Sequence, residues 1–407
     1  MQTQTSLPTT PVDIAIVGGG IVGLAAAREL LLRHRDLKLV IVDKEAQIAS
    51  HQTGHNSGVI HTGIYYRPGS MKARACVAGH KLVMAYCDER SIPYERCGKV
   101  IVALDESELA RLNDLFERGT ANGVEGLEMI GPERLREIEP YAAGIKAIYS
   151  PNTGIIDYGQ VARAYAEDVI AMGGMIVPDT RVLRLDQRAA STVLVTTRGD
   201  LEARSVVTCA GLYSDKISGA GKELKIVPFR GSYYCLRPDK RHMTRALIYP
   251  VPDPSFPFLG VHFTRVLNGD VWIGPNAVLA FAREGYKRWA INPGELLDTL
   301  TYAGFWKLAG RYWRTGLAEM YRDYVKSAYI KLAQRYMPEL TIEDTVAGPS
   351  GVRAQALDFN GGLLDDFAIK QDGRVIHVQN APSPAATSSL VIGQTIADAA
   401  DRAFELA

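Results

Sequence analysis

Apolar and polar positions along the chain fall into three regimes. Up to about residue 210, short β-branched runs alternate with Ala- and Leu-rich stretches at helical spacing. Residues 14–17 (IAIV) are apolar throughout, as a strand buried on both faces must be. The Pro-free segment 21–33 reads as a helix, and a second apolar run at 37–42 completes a strand–helix–strand unit. The same reasoning predicts helices from 71, over 106–122 and over 157–172, and strands at 99–104, 175–177, 181–185, 193–197 and 205–208. Between 226 and 275 the pattern becomes period two, with prolines and aromatics (IVPFRGSYYCL, ALIYPVP, FLGVHFTR, DVWIGPN), which predicts an antiparallel sheet. Residues 281–337 are helical, aromatic and basic; a strand at 375–378, a turn at 380–387 and a helix at 388–405 close the chain. The two fold regimes imply a discontinuous α/β Rossmann-like domain and a second α+β domain built on an antiparallel sheet.

Between the first strand and helix, Gly18, Gly20 and Gly23 supply G-x-G-x-x-G, and Asp43 follows the second strand twenty positions after the last glycine. The first glycine permits the tight turn, the second lets backbone approach a pyrophosphate, and the third lets helix and strand pack closely. The helix then aims its positive end at the phosphates, and the acid can accept from a ribose hydroxyl. With every part in place, this is a dinucleotide site rather than an ordinary βα turn. The fingerprint alone does not choose between NAD and FAD; no second one occurs, so for a flavin enzyme reduction by a nicotinamide is not expected and electrons should come directly from an organic substrate.

At 407 residues the chain is long enough for two cores. A net charge of +1 argues against a nucleic-acid partner. Cys76, Cys87, Cys97, Cys209 and Cys235 form no C-x-x-C pair, which suits a reducing compartment. The polar, uncharged N-terminus lacks the features of a secretion or transit signal, and no apolar run spans a bilayer. Cytoplasmic residence is the expectation.

After Asp43, residues 44–70 form a polar loop holding His51, His55, His61, Tyr65 and Tyr66, with His80 in the following helix. Zinc would need spacings that these histidines do not show, so no metal site is expected. Here the stretches VGGGIVGLAAA, VDKE and TGHNSGVIHTGIYYRPGSMKARAC resemble the FAD-dependent oxidoreductases of the D-amino-acid-oxidase superfamily. Within it they are most similar to the L-2-hydroxyglutarate dehydrogenase/oxidase family. The resemblance implies FAD as cofactor and oxidation of L-2-hydroxyglutarate to 2-oxoglutarate by hydride transfer from C2 to flavin N5. Oxidation of another 2-hydroxy acid, or of an amine by a glycine- or sarcosine-type enzyme, is the rival. It further implies an FAD domain at 1–90, 150–225 and 345–407 and a substrate domain at 91–149 and 226–344, including a basic aromatic helical segment at 295–337. Implied cofactor contacts are Gly18, Gly20, Gly23, Asp43, Lys44, Asn56, Ser57, Gly58, Val182, Gly211, Gly351, Ala385, Ala386 and Thr387.

Hydride loss from an alcohol requires its hydroxyl proton to leave too, so a histidine base is expected. His262 is the first candidate and His61 the second; His61 contacting the flavin, or bonded to it covalently, is the alternative. A dicarboxylate needs cationic clamps with a planar fork. Arg353 is the first choice, Arg265 and Arg230 are weaker ones, and Tyr65, Tyr66 and Tyr233 could add hydroxyl donors. The electron acceptor would be a membrane quinone or oxygen. Residues 301–337 carry seven Lys or Arg against two acids, Glu319 and Asp323. That composition suits a helix lying on an anionic membrane, at the inner face of the cytoplasmic membrane. A helical cap with core aromatics is the default reading of the same residues, and a subunit interface is a third.

Overall fold

The computed structural model describes residues 6–221, 223–253 and 258–406. The chain opens with β1 (Val12–Val17), α1 (Ile21–Arg33), β2 (Leu39–Val42), β3 (Val59–Ile60), α2 (Met71–Glu89) and β4 (Tyr94–Glu95). A first excursion holds β5 (Lys99–Ala103), α3 (Leu109–Ala121), β6 (Glu128–Ile130), α4 (Pro132–Ile138) and β7 (Lys146–Ser150). The chain returns through β8 (Gly154–Ile156), α5 (Tyr158–Ala171), β9 (Met175–Val177), β10 (Val182–Gln187), β11 (Thr192–Thr196), β12 (Gly199–Thr208) and α6 (Ser214–Ile217). A second excursion comprises β13 (Leu224–Leu236), β14 (Leu247–Pro250), β15 (His262–Arg265), β16 (Val271–Gly274), β17 (Val278–Leu279), α7 (Pro293–Leu300), α8 (Ala303–Tyr324), α9 (Lys326–Ala333) and β18 (Thr345–Asp358). The last elements are β19 (Ala368–Asp372), β20 (Val375–Asn380) and α10 (Ser389–Phe404).

These elements form two large sheets. The first runs β10-β11-β12-β1-β2-β9, with β20 also on β12 and β19 on β20. Its central pairs, β1 with β12 and β2, β2 with β9, and β12 with β20, are parallel. Ile14 and Ile16 point into the core formed with α1, α5 and α10, while Ala15 and Val17 face a second cluster with Val177, Leu194 and Val206. Burial on both faces is why β1 is apolar at every position after Asp13.

The second sheet runs β17-β13-β16-β15-β14-β5-β7-β6, with β18 along β13. Most of its pairs are antiparallel, as the period-two pattern predicts. One face packs Val100, Val102, Ile248, Phe263 and Ile273 against Tyr329, Ile330 and Ala333 of α9. The alternate residues, Lys99, Tyr249 and His262 among them, point to the other face. A small sheet, β3-β8-β4, lies between the two.

Two expectations meet a different structure. The range 345–407 is expected in the cofactor domain, yet residues 345–358 form β18, paired with β13 from Leu224↔Asp358 to Leu236↔Thr345. Its Gly- and Pro-containing sequence hides a strand whose regularity comes from its partner. The basic aromatic segment is not one helix: α8 kinks at Tyr312 (φ −118°) and ends at Val325, before α9. One side of α8 packs Leu308, Tyr312 and Phe305 with Val227 and Leu357, as a cap would. The other leaves Trp306, Trp313 and Tyr321 about 55–61% exposed. Among the described residues no helix is long and apolar enough to cross a membrane.

Helices α1 and α10 cross at Gly393, where an added Cβ would lie 2.7 Å from Ala25 O. Gly393→Val forces these helices apart at a cost of about 1–3 kcal/mol, and a melting temperature lowered by several degrees checks it; an unchanged one would show that the crossing is slack.

Candidate active site

At the end of β1, Gly18 adopts φ +112°, and a Cβ there would strike Cys209 O, so the turn admits glycine alone. Gly20 caps α1 without any side-chain hydrogen bond, and the nearest atom to a Cβ built on it is Thr53 Oγ1 at 3.5 Å. The helix end therefore opens onto space with its positive pole free for an anion. Thr53 Oγ1 accepts from Ile21 N–H at 3.0 Å. Asp43 accepts from Gly19 N–H (2.6 Å) and Glu45 N–H (2.8 Å); burial raises its pKa and outweighs those bonds.

The loop after β2 is tied down by charge. Lys44 ion-pairs with Glu45 and with Glu284 (2.5 Å), and His51 Nε2 lies 2.9 Å from Glu45 and 3.0 Å from Glu284. Burial pushes Glu284 up, but the His51 and Lys44 hydrogen bonds overcome it and hold it at about 2. Glu45, His51 and Glu284 are grouped closely enough to ligate a metal, but the Lys44 ammonium already pairs with both acids. Lys44, expected at the cofactor, thus serves this clamp. His55 stacks on Tyr286 at 4.1 Å, and Asn56 Oδ1 accepts from Gly58 N–H at 2.8 Å. Half-buried Ser57 follows in the same turn, and Gly351 of β18 lies so close to His55 that an added Cβ would sit 2.6 Å from its carbonyl. Gly211 follows β12 beside Gln52, and Val182 begins β10 among the residues of the cluster behind β1.

The C-terminal turn meets the His-rich loop. Thr387 Oγ1 accepts from His61 N–H (3.2 Å) and shares a 2.7 Å hydrogen bond with Tyr158 Oη. Ala385 and Ala386 lie in the same turn, packed on the core of the first sheet. The His61 ring is buried, and its Nδ1 has no hydrogen-bond partner. Burial, then the fields of Lys99, His262 and Lys72, hold its pKa well below the usual value. Tyr65 Oη is likewise buried without a partner.

Facing this loop is the other face of the second sheet, part of which packs Ile101, Ile148 and Leu247 against Leu112 and Leu115 of α3. His262 Nδ1 lies 2.8 Å from Gly260 O; a carbonyl only accepts, so Nδ1 carries the proton and Nε2 keeps its lone pair. The ring lies against Tyr249, tilted by 32° with the centroids 4.0 Å apart. Burial, with the nearby charges of Arg353 and Lys99 and against the Gly260 bond, lowers its pKa to about 3. Arg353 donates to Asn276 O at 3.2 Å and lies over the Phe258 ring, 5.5 Å from its centroid. Burial lowers its pKa. Tyr233, beside it, is pushed up to about 12 by burial.

The structure thus brings His262, His61, Arg353, Tyr233 and Tyr65 towards one space. Tyr66 joins its border, with the Lys72 ammonium 5.2 Å from its ring centroid. Arg265 is not brought in: three residues on from His262, it points to the opposite side, where Glu95 takes it at 2.9 and 3.2 Å. Arg230 is spent on Asp323 at 2.6 Å. Lys99 escaped the sequence reading, although a lysine opening the run KVIVA is a signal worth weighing. It is 1% exposed, and burial lowers its pKa to about 8. A separate cleft on the outer side of α2, lined by His80, Lys81, Arg96 and Glu125, shares only Thr62 with this region.

Residues 13–399 match the model of the FAD dependent oxidoreductase family, DAO. The chain belongs to that family. Relatives include the mitochondrial L-2-hydroxyglutarate dehydrogenase of Nematostella vectensis, 50% identical with 99% of this chain and 93% of the relative covered. The L-2-hydroxyglutarate dehydrogenase of Indibacter alkaliphilus is 46% identical over 96% of this chain and 99% of its own length. The human mitochondrial enzyme of that name is 47% identical over 98% and 91%. Among solved structures, L-alpha-glycerophosphate oxidase from Mycoplasma pneumoniae with FAD bound superposes with a TM-score of 0.79 at 22% identity, covering 98% and 96% of the two chains. Glycine oxidase from Bacillus cereus does so at 0.68 and 19%, covering 96% and 95%. At these identities the likeness establishes a shared fold.

The family's FAD fits this chain on its own geometry. The uncapped α1 terminus and the space at Gly20 suit the pyrophosphate, and the buried His61 Nδ1 is left without a hydrogen-bond partner within the protein. Gly18→Ala places a Cβ against Cys209 O; the purified variant should lose its yellow colour, and a full flavin complement would refute the turn's role.

Proposed function

We infer that this chain oxidises L-2-hydroxyglutarate to 2-oxoglutarate. Supporting this reading is a histidine held neutral beside an arginine with no acid bonded to it, on one face of the second sheet. FAD, when bound, accepts the hydride leaving C2. The chain's own residues supply the rest. Arg353 takes the carboxylate next to the reacting carbon, and its fork fixes the C2–H direction. Glu319, whose charge reaches Arg353, is itself bonded to Arg322 at 2.6 Å. Nδ1 of His262 is committed to Gly260, so Nε2 receives the hydroxyl proton. A pKa of about 3 would make a weak base. Burial is the main cause of that value; a bound carboxylate that neutralises Arg353 removes the smaller, repulsive part and so raises the basicity of Nε2. An amine substrate brings its own cation and would sit poorly among these charges.

The exposed side of α8 supports peripheral attachment to an anionic membrane, with a quinone as acceptor; oxygen is the alternative. Trp306 and Trp313 stand beside exposed Lys307, Arg311 and Arg314, whereas the acids Glu319 and Asp323 are buried.

Four outcomes test these readings. L-2-hydroxyglutarate should bleach the flavin anaerobically; an unchanged spectrum, with bleaching by its D-isomer or by amino acids, would remove the assignment. His262→Ala should slow that bleaching by about 100-fold or more with FAD retained, while Arg353→Lys should weaken substrate binding about tenfold or more as the fork is lost. Undiminished reduction or affinity would remove the respective role. Sedimentation with anionic liposomes should be lost on reversing Lys307, Arg311 and Arg314 to Glu; equal sedimentation of both proteins would discard the membrane surface.

A further inference from the structure

Two cations lie on the face of the second sheet that carries Tyr249 and His262, and only one has a use so far. Lys99 Nζ lies 4.7 Å from the Tyr249 ring centroid and 5.3 Å from that of Tyr65. Among the described residues no carboxylate pairs with it; the groups whose charge reaches it are the thiols of Cys76 and Cys97. Both thiols are pushed up by burial, to about 12 and about 11, and stay neutral. A buried ammonium left without a counter-charge costs several kcal/mol, and a fold that only needed a strand would place an apolar residue there. Beside it, Tyr65 Oη is a second buried polar group with nothing to bond. Parallel pairing sets Lys99 opposite Leu247, and Tyr249 of the same strand lies against His262, so one ring separates Lys99 from the base. Arg353 reaches His262 from the other flank, by way of β13 and β16. The charges of both lower the His262 pKa. The two cations thus bracket the base from opposite sides, an arrangement for an anion at each end of one molecule.

We propose that Lys99 determines specificity: its ammonium, with the Tyr65 hydroxyl beside it, takes the substrate carboxylate remote from the reacting carbon, while Arg353 takes the near one. This rests on the chain being an oxidase of a 2-hydroxy diacid. A monoacid of equal length satisfies Arg353 and leaves Lys99 uncompensated, so rejection comes from the unpaired charge as well as from the lost contact.

The test compares L-2-hydroxyglutarate with L-2-hydroxypentanoate, the same carbon chain ending in a methyl group, using kcat/KM and anaerobic binding to the holoenzyme. The wild type should prefer the diacid by about 100-fold or more, and Lys99→Met should cut that preference at least about tenfold through KM, with Lys99→Arg restoring part of it. Equal losses on both substrates would overturn the proposal, because they would place Lys99 at the flavin or in the scaffold. Failure of the wild type to oxidise L-2-hydroxyglutarate at all would instead remove the functional reading and this inference with it. The wild type also carries a test that needs no variant. Lys99 loses its charge as pH rises through about 8. The other titratable groups facing it (His61, Tyr65, Cys76, Cys97, Tyr249 and His262) are held neutral there by burial. The preference for the diacid should therefore fall above that pH; a preference flat from neutral to strongly alkaline pH would overturn the assignment.

Discussion

The contact on which the molecule depends is the meeting of β1 with β12 at their C-terminal ends, where Gly18 lies against Cys209 O. Val17 O accepts from Cys209 N–H at 2.8 Å, and Gly18 N–H donates to Val42 O at 2.8 Å. Three strands from distant parts of the chain are thereby locked at one edge, leaving the α1 terminus open above it. Parallel strands cannot make this pattern through tight hairpins, so long connections are obligatory. The excursions that carry β5 to β7 and β13 to β18 are where the chain builds its second sheet.

That second sheet divides its labour by face. Antiparallel pairing alternates side chains strictly, so one face could be filled with Val, Ile and Phe beneath α9. The other packs Ile101, Ile148 and Leu247 under α3 and carries Lys99, Tyr249 and His262 beside them. The Arg265–Glu95 pair shows the ordinary way this chain treats charge at a sheet surface: a bidentate partner, half in water. Arg230 with Asp323 shows the buried version. Arg353 and Lys99 follow neither pattern. Their lack of bonded acids, beside a His262 held neutral chiefly by burial, sets the region apart from a structural ion-pair network.

The loop between the sheets is rigid for an electrostatic reason. Lys44, Glu45, His51 and Glu284 neutralise one another across the gap between the first sheet's loop and the segment before α7. His55 stacking on Tyr286 extends the same seam. His51 and His55 are used there to fasten the loop.

By itself the sequence determined the βαβ unit, because apolar periodicity, glycine spacing and Pro-free helix composition are local properties that survive without tertiary context. It also determined the change to an antiparallel second sheet and the helices α2, α5 and α10 to within a residue or two, and through resemblance it singled out His262 and Arg353 as candidates. Tertiary structure decided what depends on partners. β18 became a strand because β13 supplies its hydrogen bonds, despite Gly and Pro in its sequence. Arg265 and Arg230 were turned to acids distant in the chain, Glu95 and Asp323, and the Lys44 ammonium was paired with Glu284. Lys99 entered it because strand pairing turned that lysine to the same face as Tyr249 and His262. A charge's meaning lies in which opposite charge it meets, and only the folded chain fixes that.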